Sequence, residues 1–493
     1  MRSQLGKVLG DPSPDLFKTY VKLNDDENVY PGELLLAESR LPSHHVLVRV
    51  INVAEVNKSV SADSLSIEEK LGYKYETDDY PLTRYRIAVT EVLDCIENNN
   101  GKIIMKGNIC TARPGGGVYP LRDSLLEVVF NGRRPDPQKS VLIGSVAAGS
   151  SSVPFLMDPD IMIRHVLVIG GTGTGKSWFR GVLMEKLKEK GIYQVNFDPL
   201  GEYGDAVRDL GGVSLKVGRD LKLPLWVLTP GQFYDLISDY IPTEFQRTIA
   251  LEAFKEIREK RGGTEDLMDA VYDVSKKMKA PEETRENVVN RMRVFLDALG
   301  IVGNDDPARI ADYLNKKQLV NFEFVGLNDL QRDYAVASII TMLYDFRSSR
   351  SPATGKPPIR KPVLVSIDEA HLYVPSGKRT LSREVIKNVL RYGRHVGLAL
   401  MLITQLPSSM DQEAVEMPAL KVIFAISHEQ LRGIRFALSD LPDEILESIG
   451  KMERGKAIIT GTRDLLRYSV LVDITPERRT RHGAPTPSFF EEG

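Results

Sequence analysis

Residues 170–177 read GGTGTGKS, the pattern G-x-x-x-x-G-K-S, in which each residue type answers a need of a bound polyphosphate. Gly171, Gly173 and Gly175, with Thr172 and Thr174 between them, let a loop wrap with its N–H groups pointing inward. A helix opening near Lys176 brings the positive end of its dipole to the same place. Lys176 then reaches the β- and γ-phosphates of a nucleoside triphosphate, the Ser177 hydroxyl ligates Mg²⁺, and Trp178 follows beside the nucleotide. The alternative is a glycine-rich turn that binds nothing. The apolar run at residues 165–169 and the Lys-Ser pair at the right offset set this segment apart from such a turn.

Chemistry on a γ-phosphate also needs an acid, a reporter and a cation. Residues 363–367 (VLVSI) read as a buried strand and lead into Asp368 and Glu369. Asp368 is placed to hold the Mg²⁺ shell through water, and Glu369 to polarise the attacking water as general base. A third apolar run, residues 398–404, puts Gln405 at its tip, where an amide can bond the γ-phosphate or the lytic water. Arg391 and Arg394 precede that run, at the end of a helical pattern starting near Leu381. Arginines near a nucleotide site but outside it suit a ring ATPase, in which a neighbour's guanidinium stabilises transition-state charge; otherwise they cap helix carbonyls. Asp198 and Glu202 also have two readings: orienting water or Mg²⁺, or forming a turn and a helix cap.

The elements that must hold these groups follow from periodicity. Residues 176–190 carry Phe179, Val182, Leu183 and Leu187 at helical spacing and stop at Gly191. Strand patterns at 192–197, 319–327, 363–367, 398–404, 422–426, 457–460 and 471–474 interleave with helical ones, which is the α/β signature. Residues 235–300 change to long mixed-charge helical patterns, a helical insertion whose Lys276, Lys277 and Lys279 read as a solvated face. Ahead of all this, strand runs at 46–53, 85–95, 102–110 and 125–130 with strong turns, such as Asn98-Asn99-Asn100-Gly101, argue a small barrel or sandwich. Residues 59–79 form an acidic excursion, 113–117 a glycine-rich connector and 149–152 a small-residue break. The expected division is 1–155, an N-terminal β-barrel; 156–475, an ATPase domain with the insertion; and 476–493, an Arg/Pro-rich tail that is disordered or laid across a neighbouring subunit.

Composition sets limits. A chain of 493 residues holds more than one domain, and with 27% charged residues and net charge −2 it must meet any nucleic acid through a local patch. No signal core opens the chain and no apolar stretch approaches a membrane span, so a cytoplasmic protein without membrane attachment is expected. Cys95 and Cys110 fall in adjacent strand-like runs and read as two buried thiols in preference to a disulfide or a metal site.

Taken in order, IGSVAAGSSSVPF leading to IRHVLVIGGTGTGKS, then FDPLGEY, VLVSIDEAH, YGRHVGLALMLITQLP and an RRTRHG tail, the chain resembles the HerA DNA translocases of the HerA and FtsK group over essentially its whole length. The resemblance implies an α/β fold: a small N-terminal β-barrel like that of rotary ATP synthase subunits, followed by a RecA-like P-loop ATPase domain with a helical insertion. It implies ATP and Mg²⁺ as cofactors and a homo-hexamer that threads double-stranded DNA. It further implies a NurA-like nuclease as partner and a part in processing DNA ends for recombinational repair. By residue, it puts Lys176 and Ser177 on the phosphates and Mg²⁺, Asp368 and Glu369 in the metal and water roles, and Gln405 at the sensor. Arg394 falls on the family's Gly-Arg motif, Arg391 on the arginine just before it, and Arg164 matches a family arginine close to the nucleotide. Leu406 departs from the pattern, which often has Arg after the Gln, so a basic contact is missing there or supplied elsewhere.

Lys378 and Arg379, in the loop after the Asp-Glu strand, could reach the channel and grip DNA phosphates, which a motor must hold whatever the sequence. A ring ATPase of a defence or conjugation system shares every motif. The rival from another class is an ATPase that remodels protein, with the barrel as its recognition module. A scaffold that only binds ATP has no use for Glu369 and Arg394.

Overall fold

The computed structural model describes residues 4–57, 84–99, 102–121, 129, 136, 138–148, 151–349, 357–438, 441–462, 465–474 and 480. The excursion at 59–79, the Asn100-Gly101 turn, residues 125–130 except Val129, which is helical, and the tail 476–493 except Thr480 lie outside them.

The N-terminal strands are β1 (Gly6–Val8), β2 (Lys18–Leu23), β3 (Leu34–Glu38), β4 (His44–Asn57), β5 (Arg84–Asn99), β6 (Lys102–Met105) and β7 (Gly117–Pro120). They run antiparallel in the order β2-β1-β7-β3-β4-β5, and a further β2–β5 pairing closes a six-stranded barrel, with β6 paired to β5 as a hairpin. Alternation produces the closure: Val21, Val46, Val48, Val50, Ala88 and Val118 turn inward and are fully buried, and a closed sheet leaves no unpaired edge. Register shifts at Leu47/Val48 and Val50/Asn52 let the two longest strands bend around the core.

The two cysteines are bonded and are not the buried thiols expected from the sequence. Cys95 and Cys110 form a disulfide, with Cα atoms 5.8 Å apart. The sequence pattern carries a strand through to Cys110, but β6 ends at Met105 and the chain turns back at Gly107, whose φ is +82°. The Cys95 N–H donates to the Gly107 carbonyl at 3.0 Å, and this fold-back lays Cys110 against Cys95.

The second sheet contains β8 (Val141–Ala148), β9 (Ser151–Met157), β10 (Val166–Ile169), β11 (Tyr193–Asp198), β12 (Val213–Lys216), β13 (Leu319–Glu323), β14 (Val363–Ile367), β15 (Leu398–Thr404), β16 (Leu420–Phe424), β17 (Lys456–Gly461) and β18 (Val470–Asp473). Their order is β12-β13-β11-β14-β15-β10-β16-β17-β18-β8-β9; the strands from β12 to β16 in that order are parallel and the rest antiparallel. The central strands β10, β11, β14 and β15 are buried at every residue, as a parallel sheet covered on both faces requires; β10 and β15 are nearly all apolar for that reason, while β11 also buries Gln194, Asn196 and Asp198 and β14 buries Ser366. Strand β8 ends just before the 149–152 break and β9 begins within it, at Ser151; the two pair with each other and lie in this second sheet.

Helices Pro230–Ile237, Glu244–Lys260, Thr264–Lys277 and Glu282–Leu299 fill the excursion between β12 and β13, with Phe233 stacked on Phe254 at 4.1 Å between ring centroids. The barrel docks on the β17–β18 connection. Arg49 donates to the Ser469 carbonyl at 2.8 Å, and Arg467 donates to the buried Asp94 at 2.6 Å. No helix among the described residues is long and apolar enough to cross a membrane.

Candidate active site

The phosphate-loop strand β10 sits between β15 and β16, and the Asp-Glu strand β14 lies on the far side of β15. All these strands run parallel, so the loop after β10, the acids after β14 and Gln405 after β15 emerge together at one edge of the sheet. Gly173 and Gly175 have φ of +76° and +123°, a left-handed region open to glycine, which lets the loop close over a phosphate. The helix Lys176–Glu189 then starts at the expected residue, held by Phe179, which packs against Phe424 of β16 at 6.0 Å.

The loop is tied to its neighbours by side chains. Lys176 Nζ donates to the carbonyls of Gly170 and Gly171 at 2.8 and 2.7 Å, and Thr174 Oγ1 donates to Gly171 at 2.8 Å. Thr172 Oγ1 donates to Gln405 Oε1 at 2.7 Å, while Gln405 Nε2 lies 3.5 Å from Glu369 Oε1. His371 Nδ1 is 3.4 Å from the other Glu369 oxygen and 3.1 Å from Thr404 Oγ1. The phosphate loop, Gln405 and Glu369 therefore form one connected chain of polar contacts. Glu369 adopts a left-handed backbone (φ 49°), which costs a non-glycine residue about 1 kcal/mol and directs its carboxylate into this chain.

Beneath lies a buried cation that the sequence reading passed over. Arg180 is 1% exposed; its Nη1 donates to Asp368 Oδ2 at 2.7 Å and its guanidinium lies 3.7 Å from the centroid of the Tyr203 ring. The signal was available, because Arg180 is four residues after Lys176 and hence on the same helix face. Tyr203 in turn contacts Ser177, so Ser177, Tyr203, Arg180 and Asp368 are contiguous. Burial, followed by the charge of Asp368, raises the Glu369 and Glu202 carboxyls above the usual range, with Lys176 opposing the shift at Glu369 and Arg180 opposing it at Glu202. Burial lowers Lys176, and the charges of Glu369 and Asp368 counter it.

The two readings of Asp198 and Glu202 now divide. Asp198 accepts from the backbone N–H groups of Gly201, Glu202 and Tyr203 at 2.9, 3.0 and 2.9 Å, which makes it the turn residue. Glu202 faces the Asp368 and Glu369 carboxylates. Trp178 leaves 42% of its surface exposed at the mouth of the loop.

Arg164, Arg391 and Arg394 are not brought to this edge. They line a cavity of about 640 Å³, with Lys421 and the buried His165, at the opposite ends of the strands. Arg164 precedes β10 and Arg394 precedes β15, whereas Gly170 and Gln405 follow those strands, a separation on the order of 20 Å at roughly 3.3 Å per residue. The helix Leu381–Val396 does not need either arginine as a cap, because Arg347 donates to the Val396 carbonyl at 2.8 Å. Arg391 is held by Glu413 (Nη2 to Oε2, 2.7 Å), and Arg394 carries no ion pair among the described residues. Arg379 pairs with Asp235 at 3.1 Å in a cavity that Lys378, Arg332 and His371 share with Asp239, Asp329 and Asp333. Leu406 is 40% exposed.

Residues 141–343 match the family model described as the central domain of helicase HerA. The chain is 24% identical over its full length to the DNA double-strand break repair helicase HerA of Pyrococcus furiosus, spanning 96% of that protein. It is 26% identical to the HerA of Sulfurisphaera tokodaii over 69% of this chain and 70% of that one. Among solved structures, VirB4 of Thermoanaerobacter pseudethanolicus matches at TM-score 0.53 and 15% identity, covering 70% of this chain and 98% of its own. The bacterial conjugative coupling protein TrwB matches at TM-score 0.50 and 16% identity, covering 73% and 93%. At those identities the two structures bear on the fold alone.

Proposed function

We propose, from the premise that the chain is a HerA-like P-loop ATPase, that it is an ATP-driven double-stranded DNA translocase. It works as a cytoplasmic homo-hexamer alongside a nuclease that processes DNA ends in recombinational repair. The observation that carries this reading is the separation of parts. Phosphate loop, acids and sensor share one edge of the sheet, and Arg164, Arg391 and Arg394 line a cavity at the other. Such a chain completes its site only when a second copy presents its arginine edge to the first copy's phosphate edge, a head-to-tail contact that closes into a ring.

In that site, the loop N–H groups and Lys176 bind the β- and γ-phosphates of ATP. Ser177 and Asp368 are the donors that fit Mg²⁺, which such sites hold with few protein ligands together with the phosphates; when bound it neutralises phosphate charge. Glu369 draws the proton of the attacking water, and Gln405 reports the γ-phosphate to the phosphate loop and to Glu369. Arg394 of the neighbouring copy, with Arg391 and Arg164 beside it, stabilises the charge that develops. DNA is held by its phosphates, so binding weakens steeply with salt.

The test is steady-state ATPase with and without linear duplex DNA, on wild type and Glu369→Gln, with oligomeric state measured by light scattering. Duplex should stimulate turnover in the wild type. Glu369→Gln should lose turnover by at least about 100-fold while still binding ATP. Hydrolysis indifferent to DNA in a stable ring would overturn the DNA reading in favour of protein remodelling.

A further inference from the structure

We infer that Glu413, assisted by Asp411, is a positioning residue that holds the arginine-bearing end of one subunit in register with that subunit's own nucleotide sensor. The inference rests on the intersubunit reading above. Its basis is the crossover of residues 405–419, which leaves β15 at the nucleotide edge and enters β16 at the arginine edge.

The start of the crossover is fixed to the hydrolytic groups. Gln405 bonds Thr172 of the phosphate loop at 2.7 Å. The N–H groups of Ser376 and Asp411 donate to the carbonyls of Ser409 and Val374 at 2.8 and 2.9 Å, which laces the crossover to the loop after Asp368 and Glu369. Its far end lines the arginine cavity through Met417, Pro418 and Ala419, and the Ala419 N–H donates to the Arg164 carbonyl at 3.0 Å.

Between these ends runs a ladder of charges. Arg383, Lys387 and Arg391 recur every fourth residue on one face of the helix Leu381–Val396. Asp411 takes Arg383 at 2.5 Å and Lys387 at 3.4 Å; Glu413 takes Lys387 at 3.0 Å and both Nε and Nη2 of Arg391. An isolated exposed ion pair contributes little. Here, however, the Asp411 side chain is only 9% exposed, and the ladder runs unbroken from Arg383 to Arg391 at the cavity wall. The Arg391 bond holds the Glu413 carboxyl below its usual range, and at Asp411 the Arg383 bond and Lys387 charge outweigh burial, so both carboxylates stay ionised. A two-oxygen grip fixes the plane of the Arg391 guanidinium as well as its place. Three residues on along the same helix stands Arg394.

A shift of Gln405 with nucleotide state therefore moves the crossover, and the ladder carries that movement to the arginines that serve the next subunit. Glu413→Gln keeps the shape and removes the charge. Turnover should fall about tenfold with KM for ATP nearly unchanged, a small part of what a transition-state arginine supplies, and Glu413→Asp should restore most of it.

The deciding measurement uses mixed rings, in which wild-type subunits are combined with Glu369→Gln subunits that also carry either Glu413→Gln or Arg394→Ala. If both double variants slow the remaining wild-type sites beyond Glu369→Gln alone, Glu413 acts across the interface. If Arg394→Ala does so and Glu413→Gln does not, the positioning role is overturned while the arginine reading stands. If neither does, the intersubunit reading itself fails, and this inference with it.

Discussion

At the residue scale, environment gives like side chains unlike tasks. Asp368 and Glu369 are adjacent, yet Asp368 is engaged by the buried Arg180, while Glu369 is turned by its left-handed backbone toward Gln405 and His371. His165, next to Arg164, shows burial acting on a base. Its pKa is pushed down to about 4, first by burial, opposed by the Leu390 backbone and aided by the Arg394 charge, while its Nδ1 accepts from the Leu400 N–H at 3.0 Å. Below its ordinary value of 6.5 the unfolded chain binds a proton there that the folded chain refuses, until pH reaches about 4. Stability from this residue is thus level above that window and falls by up to about 3 kcal/mol as pH drops through it. Urea midpoints at about pH 7 and about pH 4.5 check this: His165→Gln should flatten the slope that wild type shows.

At the element scale, the helix Leu381–Val396 matters most, because its beginning is set by the hydrolytic side and its end carries the arginines. Thr380 caps it, accepting from the Arg383 N–H at 3.2 Å, and Asp333 accepts from the N–H groups of Leu381 and Ser382 at 3.0 and 2.8 Å. Near its end, Gly393 lets it press against β15: an added Cβ would collide with the Leu398 carbonyl and come within 2.7 Å of Val389 Cγ1. Gly393→Ala should cost about 1–3 kcal/mol in denaturant unfolding. It should also depress ATPase in the surviving folded protein, because Arg394 moves with the helix end. An unchanged midpoint would mean that the helix shifts freely and that its placement is not fixed by this contact.

At the scale of the whole molecule, the barrel and the ATPase sheet share a buried apolar cluster, in which Leu34, Leu47 and Ile96 join Val146, Phe155 and Val470, and add a few well-bonded polar groups to it. Asp94 accepts from the N–H groups of Cys95 and Gly107 at 2.8 and 2.6 Å and also from Arg467 and Tyr468, so one buried carboxylate serves both the cystine loop and the docking surface. Asp94→Ala leaves Tyr468 and Arg467 without that acceptor, a loss of about 2 kcal/mol. Calorimetry should then resolve two unfolding transitions where wild type shows one, and limited proteolysis should release the barrel. A single transition at an unchanged temperature would show that the barrel docks by other contacts.

Much of this was legible in the chain itself. GGTGTGKS, the apolar runs ending in Asp368 and Gln405, and the helix ending at Gly191 depend on neighbours in sequence, so their local geometry follows from the chain itself. The same is true of the barrel strands with their alternating faces. What the linear order could not give is strand order. That β15 lies between β10 and β14, so that Gln405 spans Thr172 and Glu369, is decided by which strands pair, and so is the placing of Arg164, Arg391 and Arg394 at the opposite edge. Arg180 was hidden because an arginine in an amphipathic helix reads as solvent-facing until the element packed on it is known. The Cys95–Cys110 bond was hidden because it depends on where β6 stops. Pairing between distant segments is a property of the packed core, in which each strand's neighbours are chosen by all the others together, and no window along the chain contains that choice.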